Sequence, residues 1–248
     1  MEAGEDRSFA DLLADFRRDP LSLAGRLPGL WPVDKPPGPS SNHIVLQARR
    51  ALGIKKLGHA GTLDPMAGGL LILMAGAATR LFDFLQEFPK TYRAGFRLGE
   101  KTDSQDATGA PLPDWRPARP PPLPAEELEA ALVAFRGRIL QIPPMYSALK
   151  SNGRPLYLLA RRGETVERAP RPATVYRLAA SAFDGVSGIL ELTASKGFYV
   201  RTLIGDIGDA LGCGAVMTSL VRTRIGPFRL EDAREIASLA APRSRRSG

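Results

Sequence analysis

The sequence predicts a chain in which strands and amphipathic helices alternate, and three stretches carry the prediction. Leu70–Ala75 is an unbroken apolar run of strand length, the pattern of a buried strand. Lys90–Leu98 sets Tyr92, Ala94, Phe96 and Leu98 against polar or charged neighbours, the period of a half-buried strand. Asn42–Leu52 places Ile44, Val45, Ala48, Ala51 and Leu52 on one helical face, with Ser41 to cap the start and Gly53 to end it.

Residues 1–30 read as an N-terminal extension of unassigned role. Phe9, Leu12, Leu13 and Phe16 have helical spacing, but Pro20 and Pro28 break the stretch behind them. A compact domain then runs from Trp31 to about residue 240. Ala77–Gln86 reads as a helix. Residues 108–124 contain seven prolines and form a surface loop. Leu128, Ala131, Leu132 and Phe135 place a helix before Gly137. Residues 138–171 carry seven Lys or Arg against Glu164 and Glu167, with Pro143, Pro144, Gly153 and Pro155 as punctuation, and read as a basic projecting insertion. Strands are expected near 173–183 and 188–195. Leu203, Ile204, Ile207, Ala210 and Leu211 then line one face of a helix that Gly212 ends. Residues 241–248 read as a basic disordered tail.

Composition narrows the class. With 248 residues, 44% hydrophobic and 24% charged, the chain can bury a full core. No apolar stretch approaches the roughly 20 residues of a membrane span, and the acidic start is no secretory leader, so a cytoplasmic protein is expected. The single Cys213 excludes an intramolecular disulfide, and no Cys/His cluster has the spacing of a metal site. The net charge is +8, and residues 31–248 carry thirty bases against twenty acids. Such an excess points to a polyanionic partner, nucleic acid before membrane.

The chemistry-bearing feature is Gly58-His59-Ala60-Gly61-Thr62-Leu63-Asp64-Pro65-Met66-Ala67-Gly68-Gly69, one carboxylate among four glycines. Gly tolerates φ > 0 and close approach, and Pro65 biases Asp64 away from the α region. A fixed irregular loop of this kind displays an acid to a groove, or holds it as a local cap. Gly53 to Gly58 is followed by His59 rather than the Lys of a phosphate loop, and Asp103-Ser104-Gln105-Asp106 fails the calcium-loop pattern.

The Asp64 segment resembles the catalytic motif of the TruB family of tRNA pseudouridine synthases, in which the Asp before Pro is the essential residue. The resemblance continues in order along the chain. It takes in Val33-Asp34-Lys35-Pro36 with Ser40-Ser41, Lys90-Thr91-Tyr92-Arg93, Gln141 to Lys150, Ser195-Lys196-Gly197-Phe198-Tyr199-Val200-Arg201-Thr202, and Leu220-Val221-Arg222. It implies an α+β fold: a mixed, mainly antiparallel sheet flanked by helices, with residues 138–171 as a thumb-like RNA-binding insertion.

The reaction that the resemblance implies is isomerisation of uridine to pseudouridine at position 55 in the T loop of tRNA. The base leaves through N1, turns, and rejoins through C5. Neither metal nor nucleotide cofactor is required. Asp64 adds to C1′ or takes the C2′ proton, and both routes stay open. Arg201 supplies the opposing charge. Tyr92 stacks on the uracil with its hydroxyl near C5, Tyr199 lines the pocket, and Leu220 packs on the base. Lys35 supports the motif loops or a phosphate. The target base must be extruded, and the planar His59 fills the stack that it leaves.

The partner implied is the tRNA T stem-loop, with no membrane or protein partner and a monomeric enzyme. Two further readings compete with this one: an RNA chaperone that helps tRNA fold and whose catalysis is incidental, and a pseudouridylase working with guide RNA. Only 15 residues follow Ala233, too few for the usual small C-terminal RNA-binding domain, so either this branch dispenses with that domain or the chain is shortened. Ala60 stands where many relatives carry Thr.

Overall fold

A computed structural model describes residues 8–151 and 153–240. Along the chain the elements are α1 (Phe9–Arg18), β1 (Gly29–Lys35), α2 (Ser41–Leu52), β2 (Leu57–Ala60), β3 (Gly68–Ala75), α3 (Phe82–Glu87) and β4 (Lys90–Leu98). Then come α4 (Ala125–Val133), β5 (Gly137–Gln141), β6 (Lys150–Ser151), β7 (Arg154–Pro155), α5 (Leu156–Ala160), β8 (Arg171–Ser181) and β9 (Ser187–Ala194). Last are α6 (Val200–Ala210), β10 (Ala215–Ile225), β11 (Phe228–Arg229) and β12 (Arg234–Glu235). The class is α+β. Among the described residues two compact units form, those up to Lys90 with those from Val221 onward, and Thr91–Leu220.

In the first unit β3 is the central strand. It runs antiparallel to β1, from Gly29 opposite Ala75 to Lys35 opposite Gly69. Its other edge pairs in parallel with β10 at Gly68 and Gly69, and antiparallel with β2, where His59 faces Leu73. All eight of its residues are buried, because helices cover both faces. Leu70, Ile72 and Met74 pack with Leu12, Phe16, Leu81 and Leu85, while Leu71, Leu73 and Ala75 pack with Val33, Ile44, Val45 and Ala48. A strand buried on both sides reads as a continuous apolar run, and each such Leu or Ile contributes roughly 1.5–3 kcal/mol.

Residues 1–30, read in sequence as an N-terminal extension, meet the core in their described part. Within the described part, Leu12 and Leu23 are fully buried in the same core as Leu70 and Ile72, because α1 presents an apolar stripe to β3. Residues 1–7 and the tail 241–248 lie outside the described residues. α2 is capped by Ser40, whose Oγ accepts from the His43 N–H at 3.2 Å, and not by Ser41. Gly53 ends it in the left-handed region, at φ 67°. The helix expected at Ala77–Gln86 is a 3-10 turn over Gly76–Leu81 followed by α3. Thr79 Oγ1 donates to the Gly76 carbonyl at 2.9 Å, a local bond that competes with the α-helical one.

In the second unit β5, β8 and β9 are antiparallel neighbours, and β4 matches the expected Lys90–Leu98. The strands expected at 173–183 and 188–195 each begin and end slightly earlier. α6 buries Leu203, Ile204 and Ile207, with Gly212 following in the left-handed region at φ 72°. Residues 138–141 belong to β5, paired with β8, so the projecting part of the basic insertion starts after Gln141. It holds the β6–β7 ribbon, turned at Gly153 (φ 79°), and the single turn of α5.

Candidate active site

In the first unit the Asp64 loop is fastened from three directions. Ser41 Oγ accepts from the Leu63 N–H at 2.9 Å and donates to the Leu63 carbonyl at 3.0 Å. Lys35, fully buried, donates through Nζ to the carbonyls of Pro36, Pro65 and Ala67 at 3.1, 3.3 and 2.6 Å. Arg222, 2% exposed, donates from Nε to the Leu70 carbonyl at 2.8 Å and from Nη2 to the Gly61 carbonyl at 3.0 Å. The strand register explains the arrangement: Lys35 and Arg222 both stand opposite Gly69, on the two strands that flank it. Gly69 has φ 97°, and a Cβ there would lie 2.5 Å from the Arg222 carbonyl oxygen, so a side chain is excluded.

The sequence leaves two roles open for Lys35, loop support or phosphate. An ammonium has three donors, and Lys35 spends three hydrogen bonds on loop carbonyls, which favours loop support. Burial pushes its pKa down to about 8; Asp64 opposes that shift and Arg222 adds to it. At neutral pH it is still an ammonium, and its attraction to Asp64 favours the ionised carboxylate. Asp64 itself is half-buried. Its carbonyl accepts from the Ala67 N–H at 3.1 Å, and the next carbonyl, of Pro65, accepts from the Gly38 N–H at 2.7 Å.

His59 is half-buried on β2. Its Nδ1 is buried and has no hydrogen-bond partner among the described residues. Burial and then the Arg222 charge hold its pKa below the usual histidine value, so it presents a neutral planar imidazole at pH 7.

The second unit holds Tyr92, Tyr199, Arg201 and Leu220. Tyr92 is half-buried on β4, beside Thr91, whose hydroxyl is 3.0 Å from that of Thr193. Arg201, in the first turn of α6, is 5% exposed. It donates from Nη1 to the Ser104 carbonyl at 2.8 Å and from Nη2 to the Tyr146 carbonyl at 2.9 Å, and Nη1 lies 3.7 Å from the Asp106 carboxylate. Asp106 is buried and accepts from Ser104 Oγ at 2.9 Å and the Thr108 N–H at 3.0 Å. Tyr199 is half-buried, and the Gln141 carboxamide takes both its backbone groups, at 3.0 and 3.1 Å. Leu220 is buried on β10.

Sequence reading misses Ser41 as a fastener, Arg222 as a buried clamp, and Asp106 and Gln141 as holders of the α6 start. The Asp103–Asp106 run, which fails as a calcium loop, is instead the seat of Arg201. One signal was available: two serines at a helix start, of which the cap needs one. Among the described residues no group of three or more His, Cys, Asp or Glu could hold a metal ion, and no helix is long and apolar enough to cross a membrane.

Residues 49–200 match the model of the TruB family pseudouridylate synthase N-terminal domain. Residues 201–243 match the tRNA pseudouridylate synthase B C-terminal domain. That second match covers the described stretch from α6 to β12, which the sequence reading takes as the end of the catalytic domain. A tRNA pseudouridine synthase B of Chromohalobacter salexigens is 49% identical over 211 residues, 85% of this chain and 68% of its own length. One of Burkholderia lata is 49% identical over 235 residues, 95% of this chain and 71% of its own. Among solved structures, a chain of a Cbf5-Nop10-Gar1 complex matches 86% of this chain with a TM-score of 0.66 and 30% identity, and this chain spans 54% of that one, about half. With more than half its length matched by the first of these models, this chain belongs to the TruB family of pseudouridylate synthases and is an isomerase.

Proposed function

We propose that the chain isomerises uridine to pseudouridine in tRNA, at position 55 of the T loop, with Asp64 as the essential carboxylate. The observation that carries the reading is the fastening of the Asp64 loop. Three buried side chains, Lys35, Ser41 and Arg222, spend their hydrogen bonds on the backbone around one half-buried acid. Such preorganisation serves a group that must meet a substrate atom within a narrow range of positions.

In this reading an ionised Asp64 acts at the ribose, by adding to C1′ as the glycosidic bond breaks or by taking the C2′ proton. Lys35 keeps a positive charge near it, and Arg201 is its counter-charge in the family's arrangement. The uracil, once free of C1′, turns and rejoins through C5, and the proton on C5 leaves near the Tyr92 hydroxyl. Tyr199 and Leu220 line the base pocket. Extruding the base costs a few kcal/mol; the neutral ring of His59 recovers part of that by filling the vacated stack. Exposed Arg154, Arg161 and Arg162 of the basic insertion grip the phosphates of the T arm.

The test is to map pseudouridine in an unmodified tRNA transcript after incubation with the purified protein. The reading expects one pseudouridine, in the T loop. Modification elsewhere only, or none, contradicts it.

A further inference from the structure

The root of the basic insertion touches the arginine of the second unit directly. Tyr146, five residues beyond the end of β5, uses two groups at once. Its phenol donates to Asp103 at 2.9 Å, and its carbonyl accepts from Arg201 Nη2 at 2.9 Å. Asp103 is itself anchored, since its side chain accepts from the Ala110 N–H at 2.8 Å and its own N–H donates to the Ala110 carbonyl at 3.0 Å. Ser147, the next residue, accepts at its carbonyl from the Tyr157 N–H at 3.1 Å, in the first turn of α5. On the return path Arg168 donates to the Pro143 carbonyl at 3.2 Å. Hydrogen bonds and adjacent residues thus run from α5 through Ser147 and Tyr146 to Arg201.

We infer that Tyr146 is a positioning residue that couples the seating of the basic insertion to the orientation of Arg201. The inference rests on the uridine-isomerising reading of the site. Arg201 meets the carbonyls of Ser104 and Tyr146; the first lies on the fixed loop beside Asp106, and the insertion supplies the second. The phenol–carboxylate bond holds the Tyr146 backbone where that carbonyl can reach the guanidinium. It is exposed to solvent, so it can open and close without breaking the core. The bond is already made in the structure, and an insertion that leaves its seat takes the Tyr146 carbonyl away from Arg201.

The test uses the full chain with tRNA and compares Tyr146→Phe, Asp103→Asn and the double variant. Three quantities are read: Kd for tRNA, the single-turnover rate at saturating tRNA, and Tm. Tyr146→Phe removes one hydroxyl and should lower the saturating rate about fivefold or more, the scale of one solvent-exposed hydrogen bond, with Kd within about twofold of wild type and Tm unchanged. Asp103→Asn should lower the rate similarly, and the double variant should be no slower than the worse single one, as for residues acting as a pair. An unchanged rate, strictly additive losses, or weaker Kd at an undiminished saturating rate overturns the coupling. So does a rate that falls only in step with Tm. Wild-type protein that makes no pseudouridine overturns the functional reading instead, so the two failures are told apart.

Discussion

The Ser41 hydroxyl holds both backbone groups of Leu63, accepting from its N–H and donating to its carbonyl. Leu63 is 3% exposed, and the next residue is Asp64. One side chain from the start of α2 therefore fixes the peptide on which the carboxylate is carried. Ser41→Ala leaves a buried donor and a buried acceptor unmatched, a cost of about 1–3 kcal/mol. The expected outcome is a lower Tm together with a saturating single-turnover rate reduced about tenfold, while Kd for tRNA changes little. Thermal melts and rapid-quench kinetics check it, and an unaltered rate would show that the loop keeps its place without this bond.

Lys35 gives the fold a pH dependence of defined sign. Its folded pKa is about 8, below the 10.5 of the free side chain. Between those values the unfolded chain binds more protons than the folded one, so stability rises with pH through that window and the gain is lost as pH falls through 8. In Lys35→Met the contribution is absent. Urea unfolding of both proteins from pH 7 to 10.5 should show wild type gaining on the variant as pH rises. A flat or falling difference contradicts the burial cost assigned to this ammonium.

The basic insertion is tested by salt. Replacing Arg154, Arg161 and Arg162 with Ala should weaken tRNA binding. Each lost phosphate contact should reduce the slope of log K against log salt by roughly 0.7 to 0.9. The saturating single-turnover rate should hold, because the three residues are exposed in the insertion and Asp64, Tyr92 and Arg201 are untouched. An unchanged slope would move the phosphate grip to another basic surface.

Much of the fold is legible because it is written in local period. The apolar run at β3 and the alternation in β4 declare themselves within a few residues, and β4 begins and ends where the alternation does. α1 reads as a helix but not as core, since its stripe matters only once it meets Leu70 and Ile72, far along the chain. The candidate residues are legible through family motifs, whereas the groups that hold them are not. The Ser41 bond spans 22 residues in sequence and the Arg201 bond to Ser104 spans 97, distances at which no spacing rule operates. Ser41 reads as a cap because Ser is a good cap; its neighbour Ser40 takes that place and frees Ser41 for Leu63.

The central claim is that the Asp64 carboxylate carries the chemistry while the surrounding loop only holds it. Asp64→Asn keeps the size and much of the polarity of the side chain and removes the charge and nucleophile. The most direct measurement is the single-turnover rate of pseudouridine formation by this variant at saturating tRNA, with Kd measured on the same preparation. The expected outcome is a loss of at least about 10²-fold in rate, with Kd within a few-fold of wild type. A variant that binds tRNA normally and keeps more than about a hundredth of the wild-type rate would contradict it.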